Sequence, residues 1–513
     1  MTEAPDVRSS DELTVATASG VKWITLVRVV SEILLLGSMI LLARLLPPSA
    51  FGMFAVVVIV QELAVNVPSE GVGSAIVQRR SVKREHLQGG LALSLLVGTG
   101  LAAVTLVVAK LIVAPVFGAE TADLVALTTP WFLLGAIVAL PMTVLRRRLA
   151  FGRLALLAFT QSTVRAGTSV AFAAFAGLGA PALVYGGLAG MAAMVALALA
   201  FAPVPLPRWR GWAVRDLMPY GGPAMLACFS WAGFRNADYA IVGASLGPTQ
   251  AGYYWRGFQL AVEYQSKLSA VMNQVAFPVL SRSARVEEMF AMRRRMVRVL
   301  TVVLFPVLAS LVVLAPVVVP LVFGSAWEPA VLPTQILAGA GAATIVIDAV
   351  GSVLMAMGRT RALLGYGVAH FVVYAGAILV AASHGLAAVS ATAVVVHGAC
   401  LFVAYEVLLR DRAERTLRFL WDDVAAATVS SAMLLATCWP LALALERAGV
   451  SAPVHILAVS ACAAIAYLAT LRIGFPVAWR DLIGLLRRIA PARGLQVARR
   501  LPVVRAALRA PAP

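Results

Sequence analysis

The chain reads ARLLPPSAFGMF at residues 43–54 and, two hundred residues later, GASLGPTQAGYY at 243–254. Leu46, Pro48, Ser49 and Gly52 fall on Leu246, Pro248, Thr249 and Gly252. Two further echoes follow in the same order. LIVAPVFG (111–118) matches VVVPLVFG (317–324), and AFGR (150–153) matches AMGR (356–359), both at an offset of 206 residues. Three echoes that keep order and spacing together indicate a duplicated unit.

Composition says what kind of unit is duplicated. Of 513 residues, 61% are apolar and 13% charged, and the mean hydropathy is +0.89, too apolar for an ordinary soluble chain. Runs of about twenty apolar residues, the length that crosses a ~30 Å hydrocarbon core as a helix, recur along the chain. Fourteen spans are predicted, at 21–43, 53–77, 87–114, 125–145, 154–176, 182–204, 217–242, 253–280, 297–323, 331–356, 363–382, 388–408, 424–445 and 454–474. The polar, mildly acidic residues 1–20 lack the basic start of a signal peptide, so the first span reads as a retained anchor. The four cysteines fall inside spans without metal-like spacing and read as small buried hydrophobes.

Loop charge sets orientation. The tails, with Lys22 and Arg472 at the adjoining span ends, and the loops QRRSVKREH, RRRLAFGR, PRWRGWAVRD, SRSARVEEMFAMRRRMVR, GRTR and RDRAERTLR hold 34 of the 42 basic residues, whereas the alternate loops hold only Arg44 and Arg447. Fourteen crossings with both termini cytoplasmic fit this alternation. The +18 net charge is therefore divided among short inner loops and needs no nucleic-acid partner. Arginines interleaved with apolar residues in the C-terminal tail (476–513) suit either an anionic leaflet or a solvated basic tail.

The expected architecture is an all-α polytopic membrane protein. It has a cytoplasmic tail (1–20), an N-lobe of six helices (21–204), an inner linker (205–216), a C-lobe of six helices (217–409), two more helices (424–475) and the basic tail. Six crossings per copy give both copies the same orientation, so the repeat is parallel, with a two-fold axis along the membrane normal. The Pro-x3-Gly echo would form the same tight outer turn in each lobe.

ARLLPPSAFGMF, NADYAIVGASLGPTQAGYY (236–254) and NQVAFPVLSR (273–282) resemble the polysaccharide flippases of the multidrug/oligosaccharidyl-lipid/polysaccharide exporter superfamily, and among these the colanic-acid and teichuronic-acid exporter branch. The resemblance spans about residues 20–475. It implies a protein of the bacterial inner membrane that moves undecaprenyl-pyrophosphate-linked oligosaccharide to the outer leaflet by alternating access, coupled to H+ or Na+, with other polysaccharide-assembly proteins as candidate partners and no cofactor.

Apart from those counted with the tails and inner loops, six basic residues lie inside predicted spans: Arg28, Lys110, Arg165, Arg235, Arg256 and Lys267. Lys110 is near a helix end and can snorkel. A charge at the bilayer centre costs about 2.5–3.5 kcal/mol on insertion scales, so the other five face protein or water. They are the candidate substrate site, because forked guanidinium donors match phosphate oxygens. Glu32, Glu70, Asp238, Glu263 and Asp348 are candidate ion-coupling residues, and Glu62 also lies within a span. The competing reading is structural pairing, since Arg28/Glu32, Arg235/Asp238 and Glu263/Lys267 have i,i+3 or i,i+4 spacing. Arg165 has no acidic neighbour on its own helix. His370 and His397, mid-helix, read as packed polar residues rather than proton relays.

Three other classes remain. A cation-coupled drug or metabolite antiporter of the same fold is the closest, but it would present mainly acidic residues to its cavity. A glycan-assembling membrane enzyme would need an outer loop or domain bearing catalytic carboxylates, and every predicted outer loop is short. A non-transporting scaffold is the third. No metal-ligand or phosphate-loop motif is present in the sequence.

Overall fold

A chain surrounded by lipid must satisfy its backbone within its own elements. The computed structural model describes residues 10–79, 81–267, 286–357, 359–409 and 416–489, and every regular element among them is helical. In order, these are α1 (Ser10–Leu45), α2 (Pro48–Gln78), α3 (Arg84–Phe117), α4 (Ala119–Arg147), α5 (Phe151–Phe175), α6 (Pro181–Phe201), α7 (Gly211–Arg235) and α8 (Ala237–Leu246). There follow α9 (Pro248–Phe258, continued by a π turn Gln259–Glu263), α10 (Val286–Phe323), α11 (Val331–Ala356), α12 (Thr360–Ala382), α13 (Leu386–Leu409), α14 (Thr416–Arg447), α15 (Ala452–Gly474) and α16 (Pro476–Ile489).

Among the described residues ten helices are long and apolar enough to cross a membrane: α2, α3, α4, α6 and α10–α15. The other four predicted spans fall on α1, on α5, on α7 with α8, and on α9, whose predicted span runs on to residue 280, outside the described residues. Several boundaries differ from expectation: α1 begins at Ser10, inside the expected tail 1–20, α7 begins at Gly211, inside the expected linker 205–216, and the span predicted at 217–242 is broken at Asn236. The basic segment 281–298, read as a loop, is helical from Val286, and α14 begins at Thr416 rather than 424. Charge ends an apolar run without ending a helix, and Glu287 and Glu288 in the first turn of α10 favour its N-terminus. Residues 476–489 of the basic tail are likewise helical.

The second echo is a pair of matched turns. Gly118 (φ +90°) ends α3 and Gly324 (φ +102°) ends α10, both in the left-handed region that disfavours a Cβ.

The chain packs as two units. Unit 1 comprises Met1–Trp255, Val322–Pro329 and Ile378–Leu386, and unit 2 comprises Arg256–Leu321, Ala330–Ala377 and Ala387–Pro513. In unit 1, Pro68 cannot donate an N–H to the Ala64 carbonyl four residues earlier, and Gly135 of α4 lies over that oxygen so closely that a Cβ would overlap it. In unit 2, Gly341 of α11 makes the same approach to the Ala261 carbonyl in the π turn of α9. Gly341 is 206 positions from Gly135, the offset of two of the echoes.

The last helices of unit 2 are built onto α10. Val302, Ala309, Val313 and Leu314 form one apolar core with Ala427, Leu434 and Cys438 of α14, Val459, Ala463 and Leu471 of α15 and Ala478 of α16. The Tyr467 hydroxyl donates to the Val302 carbonyl at 2.8 Å. Arg295 and Arg298 reach Asp481 of α16 at 3.4 and 3.1 Å.

Candidate functional site

The two Pro-x3-Gly turns meet within unit 1. Pro48 opens α2 and Pro248 opens α9, where the missing N–H costs nothing. One turn later, Gly52 rests on the Pro248 carbonyl oxygen and Gly252 rests on the Pro48 carbonyl oxygen, and a Cβ at either glycine would overlap the oxygen opposite. The relation is reciprocal, as a two-fold repeat requires.

Aromatic rings surround this crossing. Fully buried Trp327 donates its indole N–H to the Ala43 carbonyl at 2.9 Å, and its ring meets Phe51 edge-on at 5.2 Å. Trp255 stacks on Phe51 at 6.1 Å and meets Phe54 at 6.3 Å. Arg44 donates to the Val322 carbonyl at 3.1 Å, so one of the two basic residues of the alternate loops holds the same corner.

Next to this corner lies a polar set. The chain breaks helix at Asn236 (φ −118°, ψ 11°) between α7 and α8, and the Asn236 carbonyl accepts the Ala240 N–H at 3.3 Å. Asp238, 2% exposed, accepts the Tyr239 N–H at 2.9 Å and the Tyr254 hydroxyl at 3.1 Å. Asn236 donates to Glu62 of α2 at 3.1 Å. Arg165 is half-buried, and its guanidinium lies 5.9 Å from the Phe54 ring centroid. Its backbone is positioned by Gly186 and Gly190 of α6, spaced so that one glycine faces the Arg165 carbonyl and the other its Cβ.

The remaining predicted residues fall as follows. In unit 2, Arg256 is 1% exposed and donates to Gln259 at 2.8 Å, while Lys267 pairs with Glu263 at 3.4 Å, as their i,i+4 spacing predicts. Glu70 meets Arg146 at 3.7 Å. Glu32 on α1 and Asp348 on α11 are half-buried. Arg28 lies on α1 and Arg235 ends α7, and the side chains of both fall outside the described residues. Cys400 and Cys438 are buried, Cys228 and Cys462 half-buried, and all four are free.

The loop-charge reading overlooked one centre. Arg293, counted among inner-loop charges, is 0% exposed and forms an ion pair with Asp423 of α14, which is equally buried. Arg293 donates to the Tyr405 hydroxyl at 2.8 Å, and that hydroxyl donates to Asp423 at 2.8 Å. The sequence offers only an acid at the edge of a span, in WDD (421–423), which does not say which arginine it draws inward.

A second tie lies at the predicted inner loops. Asp216 accepts from Arg79 at 2.9 Å and lies 3.4 Å from His86 Nε2. His86 Nδ1 accepts the Lys83 N–H at 3.0 Å, so Nε2 carries the hydrogen given to Asp216. The His86 hydrogen bond first, and then Arg79, hold the Asp216 carboxyl below its ordinary range.

Residues 41–332 match the family described as "Polysaccharide biosynthesis protein". The chain is 26% identical over 358 residues to the lipopolysaccharide biosynthesis protein WzxC of Escherichia coli (strain K12), covering 67% of this chain and 70% of that protein. It is 29% identical over 160 residues to the teichuronic acid biosynthesis protein TuaB of Bacillus subtilis (strain 168), covering 29% and 32%. Among solved structures, the lipid II flippase MurJ in an inward closed conformation superimposes with a TM-score of 0.68 at 13% identity, covering 90% of this chain and 99% of MurJ. That likeness establishes a shared polytopic helical fold.

Proposed function

The chain belongs to the polysaccharide biosynthesis protein family, and from that premise we propose that it is a flippase carrying undecaprenyl-pyrophosphate-linked oligosaccharide from the cytoplasmic to the outer leaflet of the bacterial inner membrane. Arg165 carries the reading. A half-buried guanidinium, its backbone seated between two glycines, offers forked donors suited to a phosphate oxygen pair in a region where an unneeded charge would be costly. Arg28, Arg235, Arg256 and Lys267 are proposed to line the same route. The glycan needs only a polar cavity, and the prenyl tail remains in lipid.

Transport proceeds by alternating access between two six-helix lobes, with both termini cytoplasmic. The reciprocal Pro48–Gly52 and Pro248–Gly252 crossing supports this cycle, because it supplies an outer gate closed by backbone contact. Coupling to H+ or Na+ is assigned among the acids within spans, where Asp238, buried and held by Tyr254, is better placed than exposed Glu70 or half-buried Glu263, each next to a basic partner. The basic tail beyond α15 engages anionic lipid of the inner leaflet. No catalytic residue enters the scheme.

Deleting the gene from its host, with leaflet-resolved detection of lipid-linked oligosaccharide, tests the function. Accumulation on the cytoplasmic leaflet is expected. Unchanged leaflet distribution together with normal surface glycan would overturn it.

A further inference from the structure

Two of the five histidines face each other in unit 2, and the scheme above uses neither. His370 lies near the midpoint of α12 and His397 near the midpoint of α13. Their ring centroids are 5.1 Å apart with the planes at 85°. Tyr374 meets His397 edge-on at 5.0 Å and lies 6.0 Å from His370, and Tyr366 flanks His370 at 5.9 Å. Tyr366, His370 and Tyr374 recur every four residues, so one stripe of α12 presents all three rings toward α13.

The hydrogen positions follow from the partners. His397 Nδ1 lies 2.8 Å from the Ala393 carbonyl, which can only accept, so Nδ1 carries hydrogen and the neutral ring keeps its lone pair on Nε2. His397 is 8% exposed and His370 half-buried. The other titratable groups at the pair are Tyr366 and Tyr374 of α12, Cys400 of α13, whose backbone carbonyl accepts from the Tyr366 hydroxyl at 3.2 Å, and Asp348 of α11, within electrostatic reach of Tyr366.

This arrangement suits one added proton and disfavours two. A cation on His370 would have three ring centroids within about 6 Å, at 5.9, 6.0 and 5.1 Å, the distance at which aromatic rings can stabilise a cation. A second proton would place like charges about 5 Å apart, where they repel strongly. A metal is a poorer fit, because two imidazoles leave a coordination set incomplete and no group of three or more metal-ligating side chains occurs among the described residues.

We propose that His370 and His397 form a single proton-binding site and that its occupancy shifts the transport cycle. The second clause rests on the transport reading, whereas the proton site does not.

The test uses the full chain, its imidazoles isotopically labelled, in lipid nanodiscs. In titrations followed by NMR, both rings are expected to show coupled, two-step curves. His370→Asn or His397→Asn should leave the remaining ring with a simple one-step curve, and His370→Gln and His397→Gln repeat the comparison should either Asn variant misfold. Two rings that titrate independently, or that never take up a proton between pH 4 and 9, overturn the site. A second arm measures labelling of Ala50→Cys, 1% exposed at the Pro48 turn, on a background without native cysteines. Its rate, divided at each pH by that of a small free thiol to remove the change in thiolate fraction, should change several-fold between pH 5 and 8 and become flat in the His370→Asn, His397→Asn double variant. Coupled titration with a pH-independent relative rate would leave the proton site standing and overturn its role in the cycle.

Discussion

Gly52 sits against the Pro248 carbonyl oxygen with no room for a methyl group, and Gly252 repeats the relation with Pro48. Overpacking of this kind costs about 1–3 kcal/mol. Gly52→Ala and Gly252→Ala should each bias the crossing toward separation and raise labelling of Ala50→Cys by roughly tenfold, whereas Gly37→Ala, with nothing within 4 Å of the added carbon, should not. Equal labelling in all three would mean that the contact yields without opening.

Arg165→Lys keeps the charge and loses the fork, so it should retain partial export, and Arg165→Ala should lose most of it at unchanged membrane abundance. The defect should follow the pyrophosphate and appear with unrelated glycans on the same carrier. Wild-type export by an Arg165→Ala, Arg256→Ala double variant would remove both residues from the substrate route.

Breaking the buried pair between α10 and α14 should be far more damaging than removing it. Asp423→Asn leaves Arg293 buried without its counter-charge and should cost about 3–5 kcal/mol, seen as a large drop in the apparent unfolding midpoint in detergent. The Arg293→Met, Asp423→Leu double variant should recover most of that loss. A double variant as unstable as Asp423→Asn would show that the ions contribute beyond mutual compensation.

The Asp216 tie predicts a pH signature. Its folded carboxyl value is depressed by His86 and Arg79, so its contribution is present above the ordinary carboxylate value of about 4 and is lost as pH falls through the lower folded value. Wild type should therefore unfold at a higher temperature than Asp216→Asn at neutral pH, and the two curves should converge in acid. A difference that stays constant as pH falls from neutral into strong acid would assign the effect to packing rather than charge.

Much of this was legible because apolar length, turn chemistry and repetition are local properties of a sequence. The echoes located Gly118 and Gly324 at matched turns and flagged Gly52 and Gly252, although only coordinates reveal that the last two meet each other's prolines. Glu263 and Lys267 were legible from one-turn spacing. Arg293 was not, because an arginine in a basic cluster looks solvated until a distant acid, 130 residues away, is brought beside it. The facing of His370 and His397 was hidden for the same reason. Periodicity orients residues within one helix and is silent about which neighbour that face meets.

The way α14–α16 are tied to α10 bears on how the protein can be cut. Any chimera or reporter fused near residue 410 discards Asp423 and Asp481 together, stranding Arg293 in an apolar setting and stripping Arg295 and Arg298 of their shared acid. Such a truncate would be a different, damaged molecule rather than a shorter copy of this one. Its membrane orientation would report that damage. Single-residue tags on the intact chain avoid the problem, and the C-terminal helices belong with the transporter body in any domain exchange.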